Sequence, residues 1–514
     1  MARRSQVQEF NPQGVNIDAA PGAIGADVYS AVQNMRCTAS GMTRADGEAR
    51  YRPGGAAPGI APKWGTLFYD GYSPRLLVAG AAGLRLSDGN SWSNPGTPAG
   101  WSDWTAGQMT GGILNGFPVF SAPTMPPLWW NGTVAAALPG WFAAKTCNVL
   151  APFNAHIFAG SIIGAEIDHE LLAWSDAAAV DTVPASWTST ATNQAGDLTL
   201  GVGVGPVQVM QGLGQNLLVY RTSGCWAVTY SGRPFIYTAR KVSSDVGAGS
   251  MNAVAQVKGM HAVITPGDFV LTDGTSVRSI GEGRVKRSLF AQISEQGLKA
   301  CHAYVLQSRN EVVFALALGR DDACNFAYVW DTERDKWSVR ELPIITHTAT
   351  GIVPSPYVIE TWANDAGTWD TDAKPWDSPP VGGFKPNPLG MSPIASEVYQ
   401  LELGETRANG DPVSGAIERT GLLLGDEPRL KYIHALHPRV QGNPGSAITC
   451  RVGVHMTPAD PVAWGPPQSF VIGQSRRVDC NLQGRYAAVR FEAASLASWS
   501  VSGFGLEFTQ RGYA

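Results

Sequence analysis

The chain has 514 residues with 59 Gly, 35 Pro and 17 Trp; 44% are hydrophobic and only 16% are charged. Charge is too sparse for a disordered chain or a long coiled coil, and Gly and Pro leave few windows for an α-bundle or a doubly wound α/β enzyme. A formal net charge of −4 argues against a protein whose main task is to hold nucleic acid, so a large β-rich protein of about two to four domains remains.

No apolar stretch follows the opening Met-Ala-Arg-Arg-Ser, so no signal peptide is expected. No apolar run approaches the length of a membrane span. A short helix is predicted around Gly25–Met35, where Val28, Val32 and Met35 fall on one face. Arg36, Arg44, Arg50 and Arg52 follow among glycines and prolines. Residues 1–61 therefore read as an irregular arm or platform packed on something else.

From residue 62 to 393 one pattern recurs: a short apolar strand, a polar turn, then an aromatic or β-branched residue. It appears as Leu84-Arg-Leu-Ser-Asp-Gly-Asn-Ser-Trp92, Leu128-Trp-Trp-Asn-Gly-Thr133, Leu171-Leu-Ala-Trp-Ser-Asp176, Phe269-Val-Leu-Thr-Asp-Gly-Thr275 and Tyr328-Val-Trp-Asp-Thr-Glu-Arg-Asp-Lys-Trp337. Leu217-Leu-Val-Tyr-Arg-Thr-Ser-Gly-Cys-Trp226 lies between the third and fourth of these. Asp-Gly and Asn-Gly are strong hairpin signals, because a type I′ turn needs two residues at positive φ. The starts lie roughly 43 to 59 residues apart, near the size of a four-stranded propeller blade. Runs such as His156-Ile-Phe-Ala and Val312-Val-Phe-Ala-Leu-Ala-Leu318 suit strands buried on both faces. The prediction is a mainly β protein with a β-propeller of five to seven blades; a pair of β-sandwiches is the alternative.

Trp362–Pro393, rich in Trp, Asp and Pro, reads as a long loop or linker ending the propeller region. Residues 394–514 alternate with period two in Ala447–Val454, Tyr486–Phe491 and Val501–Phe508, which predicts a C-terminal β-sandwich.

Motifs that carry chemistry are missing. There is no P-loop, no His-Glu-x-x-His and no Gly-x-Ser-x-Gly. Gly201-Val-Gly-Val-Gly205 opens no helix and reads as a turn beside Val207–Met210. Adjacent side chains of Asp168-His-Glu170 diverge in an extended segment. Asp365, Trp369-Asp-Thr-Asp372 and Asp377 lack EF-hand spacing. Ser87-Asp-Gly-Asn-Ser-Trp92 resembles the Asp-box of sialidase-type propellers but has the wrong spacing. Seven scattered cysteines without a Cys-x-x-Cys pair suit buried, reduced thiols made in a cytoplasm. No catalytic, cofactor-binding or metal-ligating residue is assigned.

Charge is unevenly spread. Trp101–Val219 holds seven Asp or Glu and one base, Lys145, whereas Tyr220–Ala300 holds ten Lys or Arg and five acids.

The segment from Leu217 to Ile293 also contains Val242-Ser-Ser-Asp-Val-Gly-Ala-Gly249, Ala262-Val-Ile-Thr-Pro-Gly-Asp-Phe-Val-Leu-Thr-Asp-Gly274 and Phe290-Ala-Gln-Ile293. It resembles the core of nozzle or hub proteins, of the DNA-stabilisation or tail tubular B type, from short-tailed bacteriophages. Gln33-Asn-Met-Arg36 with Gly41 and Arg44 is similar to their opening segment, and Tyr328–Trp337 to their blade-closing turn. Glu418-Arg-Thr-Gly-Leu422, Trp464-Gly465, Gly484-Arg-Tyr486 and Trp499–Phe504 resemble the β-sandwich that ends some of these proteins. The resemblance implies a non-enzymatic virion protein assembled in the host cytoplasm. It would form a ring, usually a hexamer, that extends the portal and adaptor channel, contacts fibre or needle proteins, retains packaged double-stranded DNA and passes it out on ejection. It implies no cofactor. On this reading part of Trp101–Val219 faces the lumen, where bases would grip DNA, and Arg278, Arg284, Lys286 and Arg287 face a partner. The alternative function is a propeller that binds or hydrolyses carbohydrate, which would need a carboxylate pair.

Overall fold

The computed structural model describes residues 5–71, 73–105, 109–122, 124–201, 205–353, 386–427, 429–495 and 498–513. Strands dominate, and they form seven four-stranded antiparallel sheets and two six-stranded ones.

Six of the four-stranded sheets are built from consecutive strands. They start at Pro62–Asp70, Gly111–Leu114, Thr146–Phe153, Val207–Leu213, Val254–Val257 and His302–Leu306. The seventh joins His347–Ile352, Pro386–Ser392 and Glu397–Leu401 to Glu48–Arg50, a strand from the other end of the chain. First strands of successive sheets touch, and that of the seventh touches that of the first. The arrangement is propeller-like. Second strands made mostly of apolar residues are buried along nearly their whole length, as in His156–Ile163 and Glu311–Leu316.

The recurring sequence signature marks one place in the sheets. In the first, second, fifth and sixth sheets it spans the turn between third and fourth strands. The turns differ from the predicted type I′. Gly89, Gly132 and Gly274 have φ of +92°, +95° and +82°, but the Asp or Asn before each is not at positive φ. Each loop is longer than two residues, and the acid or amide side chain supplies the missing acceptors. Asp88 Oδ1 accepts from the backbone N–H of Asn90 (2.8 Å) and Ser91 (2.9 Å), and Asp273 Oδ1 from Thr275 (2.8 Å) and Ser276 (2.7 Å). Asn131 and Asp331 do the same. In the third sheet the signature ends at Asp176, before a long excursion to the strand Gly196–Thr199. The Leu217–Trp226 copy is one strand out of phase, joining the second and third strands of the fourth sheet.

The six-stranded sheets form the C-terminal unit, and the N-terminal residues are part of it. One sheet runs Met35–Thr38, Gly41–Arg44, Trp499–Tyr513, Arg429–Gly442 and Val478–Gly484, with Gln6–Phe10 also paired to Trp499–Tyr513. The other contains Ala31–Gln33, Gly415–Leu423, Tyr486–Ala493 and Ala447–His455, with two short strands at its edge. Fully buried Phe491 and Phe504 pack at a centroid distance of 5.7 Å between them.

Three expectations change. The helix at Gly25–Met35 is absent: residues 31–37 alternate in burial and form two strands. Asn34, at φ +50°, sends them into different sheets, and its side chain binds Glu341 and the Ser414 carbonyl. Residues 1–61 are therefore no separate arm; they supply strands to both six-stranded sheets and to the seventh four-stranded sheet. The boundary at 393/394 cuts that seventh sheet between two of its strands. Of the expected linker Trp362–Pro393, the part from Pro386 is a strand; Asp365, Trp369–Asp372 and Asp377 lie outside the described residues.

The N-terminal strands, the sixth sheet and the seventh sheet meet at a closed circuit of alternating charges. Arg340 pairs with Glu311 (2.7 Å) and Glu402; Glu402 pairs with Arg309, and Arg309 with Asp46. Arg36 closes the circuit to Asp46 (3.9 Å) and Glu311 (3.6 Å).

Candidate functional site

Two places merit inspection: the cavity on the axis of the seven sheets, and the charged outer edges. The cavity has a volume of about 400 Å³ and is lined by first strands of all seven sheets and by the residues leading into them. Its polar side chains include Thr66, Thr110, Gln211, Asn252, His302 and His347. Among the described residues no Asp, Glu, Lys or Arg lines it, and so none of them forms there a pair of carboxylates of the kind glycoside hydrolysis uses. The space takes on the order of a dozen waters, far too little for a DNA duplex. Asn252 Nδ2 donates to the Met109 carbonyl (3.3 Å), a link between residues preceding the fifth and second sheets. Among the described residues, no group of three or more His, Cys, Asp or Glu is placed to hold a metal ion. All seven cysteines are free and buried.

The histidines near this axis are held neutral. Burial pushes His302 down to about 4 and His347 to about 3, the latter also opposed by His302. His302 Nε2 lies 2.9 Å from Thr348 Oγ1. His261, also pushed down to about 4 by burial, donates from Nε2 to the Gly212 carbonyl (3.1 Å) and accepts the Tyr220 hydroxyl at Nδ1 (2.9 Å). A histidine whose pKa is lower folded than unfolded leaves stability intact above the unfolded value near 6.5 and removes it as pH falls towards the folded one. His261 and His302 should each cost the fold about 2 kcal/mol on going from neutral pH to about pH 5. Urea midpoints across that range would show it, and His261→Gln should flatten the profile.

The four predicted partner-facing bases are not alike. Arg278, on the outer strand Val277–Ser279 of the fifth sheet, is exposed. Arg287 is exposed too, although its backbone N–H donates to Asp18 Oδ2 (3.0 Å). Arg284 is engaged inside the chain, by the Asp335 carboxylate and carbonyl, each at 2.7 Å. Lys286 lies 2.9 Å from both Asp268 and Glu282. The structure thus places Arg278 on the fifth sheet and the other three bases on the connection to the sixth, where Arg284 and Lys286 are engaged in internal ion pairs.

Of the seven acids in Trp101–Val219, only Asp103 has an ion pair among the described residues, with Lys63 at 2.5 Å. The other six belong to the third sheet and its loops. Asp168 and Glu170 lie on Ile167–Trp174, Asp197 on Gly196–Thr199, Glu166 in a hairpin, and Asp176 and Asp181 in the following loop. Asp168, His169 and Glu170 do not converge; Asp168 Oδ1 instead accepts the N–H groups of Glu170 (3.1 Å) and Leu171 (3.0 Å). Of the glycine-rich turn, Gly201 and Gly205 offer carbonyls to buried Arg221, at 2.5 and 2.6 Å; residues 202–204 lie outside the described ones.

Sequence reasoning missed the charge circuit and the Asn34 pivot. Their members are far apart in the chain, and no spacing announces them.

The chain matches no protein-family model and no curated protein. Solved structures similar to it include an extracellular domain of a hybrid two component system from B. thetaiotaomicron. That match has 9% identity and a TM-score of 0.33, and covers 63% of this chain and 40% of the other. The Pan2 WD40 domain of Neurospora crassa is 8% identical with a TM-score of 0.36, covering 70% of this chain and 94% of that one. An exo-β-1,3-galactanase from Phanerochaete chrysosporium, with galactose, is 8% identical with a TM-score of 0.24, covering 90% and 100%. The chain spans less than half of the first of these. At such identities and scores the matches carry no argument about function.

Proposed function

We propose that the chain is a structural subunit of a short-tailed bacteriophage tail, a nozzle or hub protein that works as a ring around the DNA exit path. On this reading the seven sheets are the blades of a closed propeller, and the strand Glu48–Arg50 is the clasp that joins its ends. The observation that carries the reading is the stretch Leu217–Ile293, whose strand and turn sequences resemble those proteins and which supplies the last three strands of the fourth sheet, the whole fifth sheet and the first of the two helices after them. The axial cavity, about 400 Å³, is too small for a duplex, so on this reading the DNA path runs between copies of the chain. The carbohydrate-hydrolase alternative finds no carboxylate pair in that cavity among the described residues.

The test is size measurement after mixing the protein with portal and adaptor proteins of the same virion. A protein that never joins that assembly would overturn the reading. A substitution refines it. Arg278→Glu with Arg287→Glu alters exposed side chains only and should lower co-assembly at least severalfold, with the melting temperature unchanged. Arg284 and Lys286 are unsuitable for this purpose, because each neutralises carboxylates within the fold.

A further inference from the structure

The outer edges of the third and fourth sheets carry opposite charges that form no ion pairs among the described residues. Glu166, Asp168, Glu170 and Asp197 stand on the third; Arg240 and Lys241 stand on Ile236–Ser243, the outer strand of the fourth. Among the described residues none of these six takes part in an ion pair, although the two sheets are neighbours. Arg240 donates to the Gly274 carbonyl (3.3 Å), and Lys241 lies over the Trp226 ring at 5.3 Å. The basic edge also exposes aromatic surface: Tyr230 is 48% and Phe235 71% accessible, on the same hairpin. The six-stranded unit meets the sixth sheet at the strand Lys336–Ile345, and no hydrogen bond or ion pair among the described residues joins it to the third or fourth.

We infer that these edges are the two halves of a contact between copies of this chain, the acidic edge of one copy seated on the basic, aromatic edge of the next. Like edges repel, which excludes the wrong register, and opposite edges steer the right one. Tyr230 and Phe235 add the apolar area that rim charges alone do not provide. The inference gives the proposed ring its subunit surfaces and rests on that reading for its place in a virion. It moves the acids from the lumen to the contact.

Sedimentation of the purified full chain tests it. Wild-type protein should self-associate with rising concentration, less so at high ionic strength. Glu166→Lys with Asp197→Lys should associate about tenfold more weakly, as should Arg240→Glu with Lys241→Glu, while an equimolar mixture of the two variants should recover association. These acids avoid Asp168, which holds a turn. A wild-type chain that stays monomeric at low ionic strength, variants that associate normally, or a mixture without recovery would each overturn the inference. So would loss of binding to a DNA duplex in the base-reversed variant with self-association unchanged, since that makes the basic edge a nucleic-acid surface. Failure here with intact binding to portal and adaptor would leave the nozzle reading standing; the converse would remove only that reading.

Discussion

Replacing Arg340 with Met is expected to lower the unfolding free energy by about 3–5 kcal/mol, read from urea denaturation. Arg340 is 3% exposed and bridges Glu311, 2% exposed, to Glu402. Removing the cation takes one of two partners from each of two buried carboxylates, leaving Glu311 with Arg36 and Glu402 with Arg309. Their desolvation was offset only by Arg340 and the rest of the circuit, so the loss exceeds what an exposed pair would give. The circuit gives the substitution a signature. Acid discharges the carboxylates that have lost a partner, so the variant's deficit should shrink as pH falls. Adding Glu311→Gln and Glu402→Gln to Arg340→Met should restore part of the loss at neutral pH. A deficit independent of pH would mean that Arg340 contributes packing rather than charge. The circuit ties the seventh sheet to Asp46 and Arg36, so the damage should spread to the pairing of Glu48–Arg50 with Glu397–Leu401.

Trp337→Ala should cost about 3–5 kcal/mol, the range for deleting a large buried aromatic side chain. Its ring is 1% exposed and lies 5.2 Å from Phe269 and 5.7 Å from Phe314, in the fifth and sixth sheets. Its Nε1–H donates to the Ile280 carbonyl (3.1 Å), and its own carbonyl accepts the Val15 N–H (2.8 Å). Gly14, at φ +70°, lets the N-terminal segment come this close: a Cβ there would sit 3.0 Å from the Trp337 carbonyl oxygen. The variant should therefore lose amide protection at Val15 along with global stability. Trp92 follows the same sequence signature in the first sheet but is only partly buried, so Trp92→Ala should cost under about 2 kcal/mol. Equal losses at both sites would show that the signature, rather than burial, sets the energetics.

The contrast between these tryptophans shows how far pattern reading reaches. The Asp-Gly and Asn-Gly turns were legible because an Asx side chain closes its own loop; every partner lies within three residues. Which strands the turns join was less legible, as the Leu217–Trp226 copy shows: local chemistry marks a turn without numbering the strands around it. The expected helix at Gly25–Met35 failed for a related reason. Val28, Val32 and Met35 fit a helical face, but Val32 and Met35 are buried in strands of two different sheets, with Asn34 turning the chain between them. Of the candidate surface, the uneven charge was plain in the sequence. That Arg284 and Lys286 are neutralised inside the fold, while Glu166, Asp197, Arg240 and Lys241 are not, depends on neighbours brought by folding.

By itself, then, the sequence determined the mainly β character of the chain, its repeated strand-and-turn unit and the split of charge between adjacent segments, because each rests on residues near one another in the chain. Only the tertiary structure decided that the N-terminal strands complete both six-stranded sheets and the seventh four-stranded one, and that distant charges close a circuit among them. Backbone pairing between remote strands has no local signature: Glu48–Arg50 meets Glu397–Leu401 because an open sheet edge needs donors and acceptors, and any extended segment in reach can supply them.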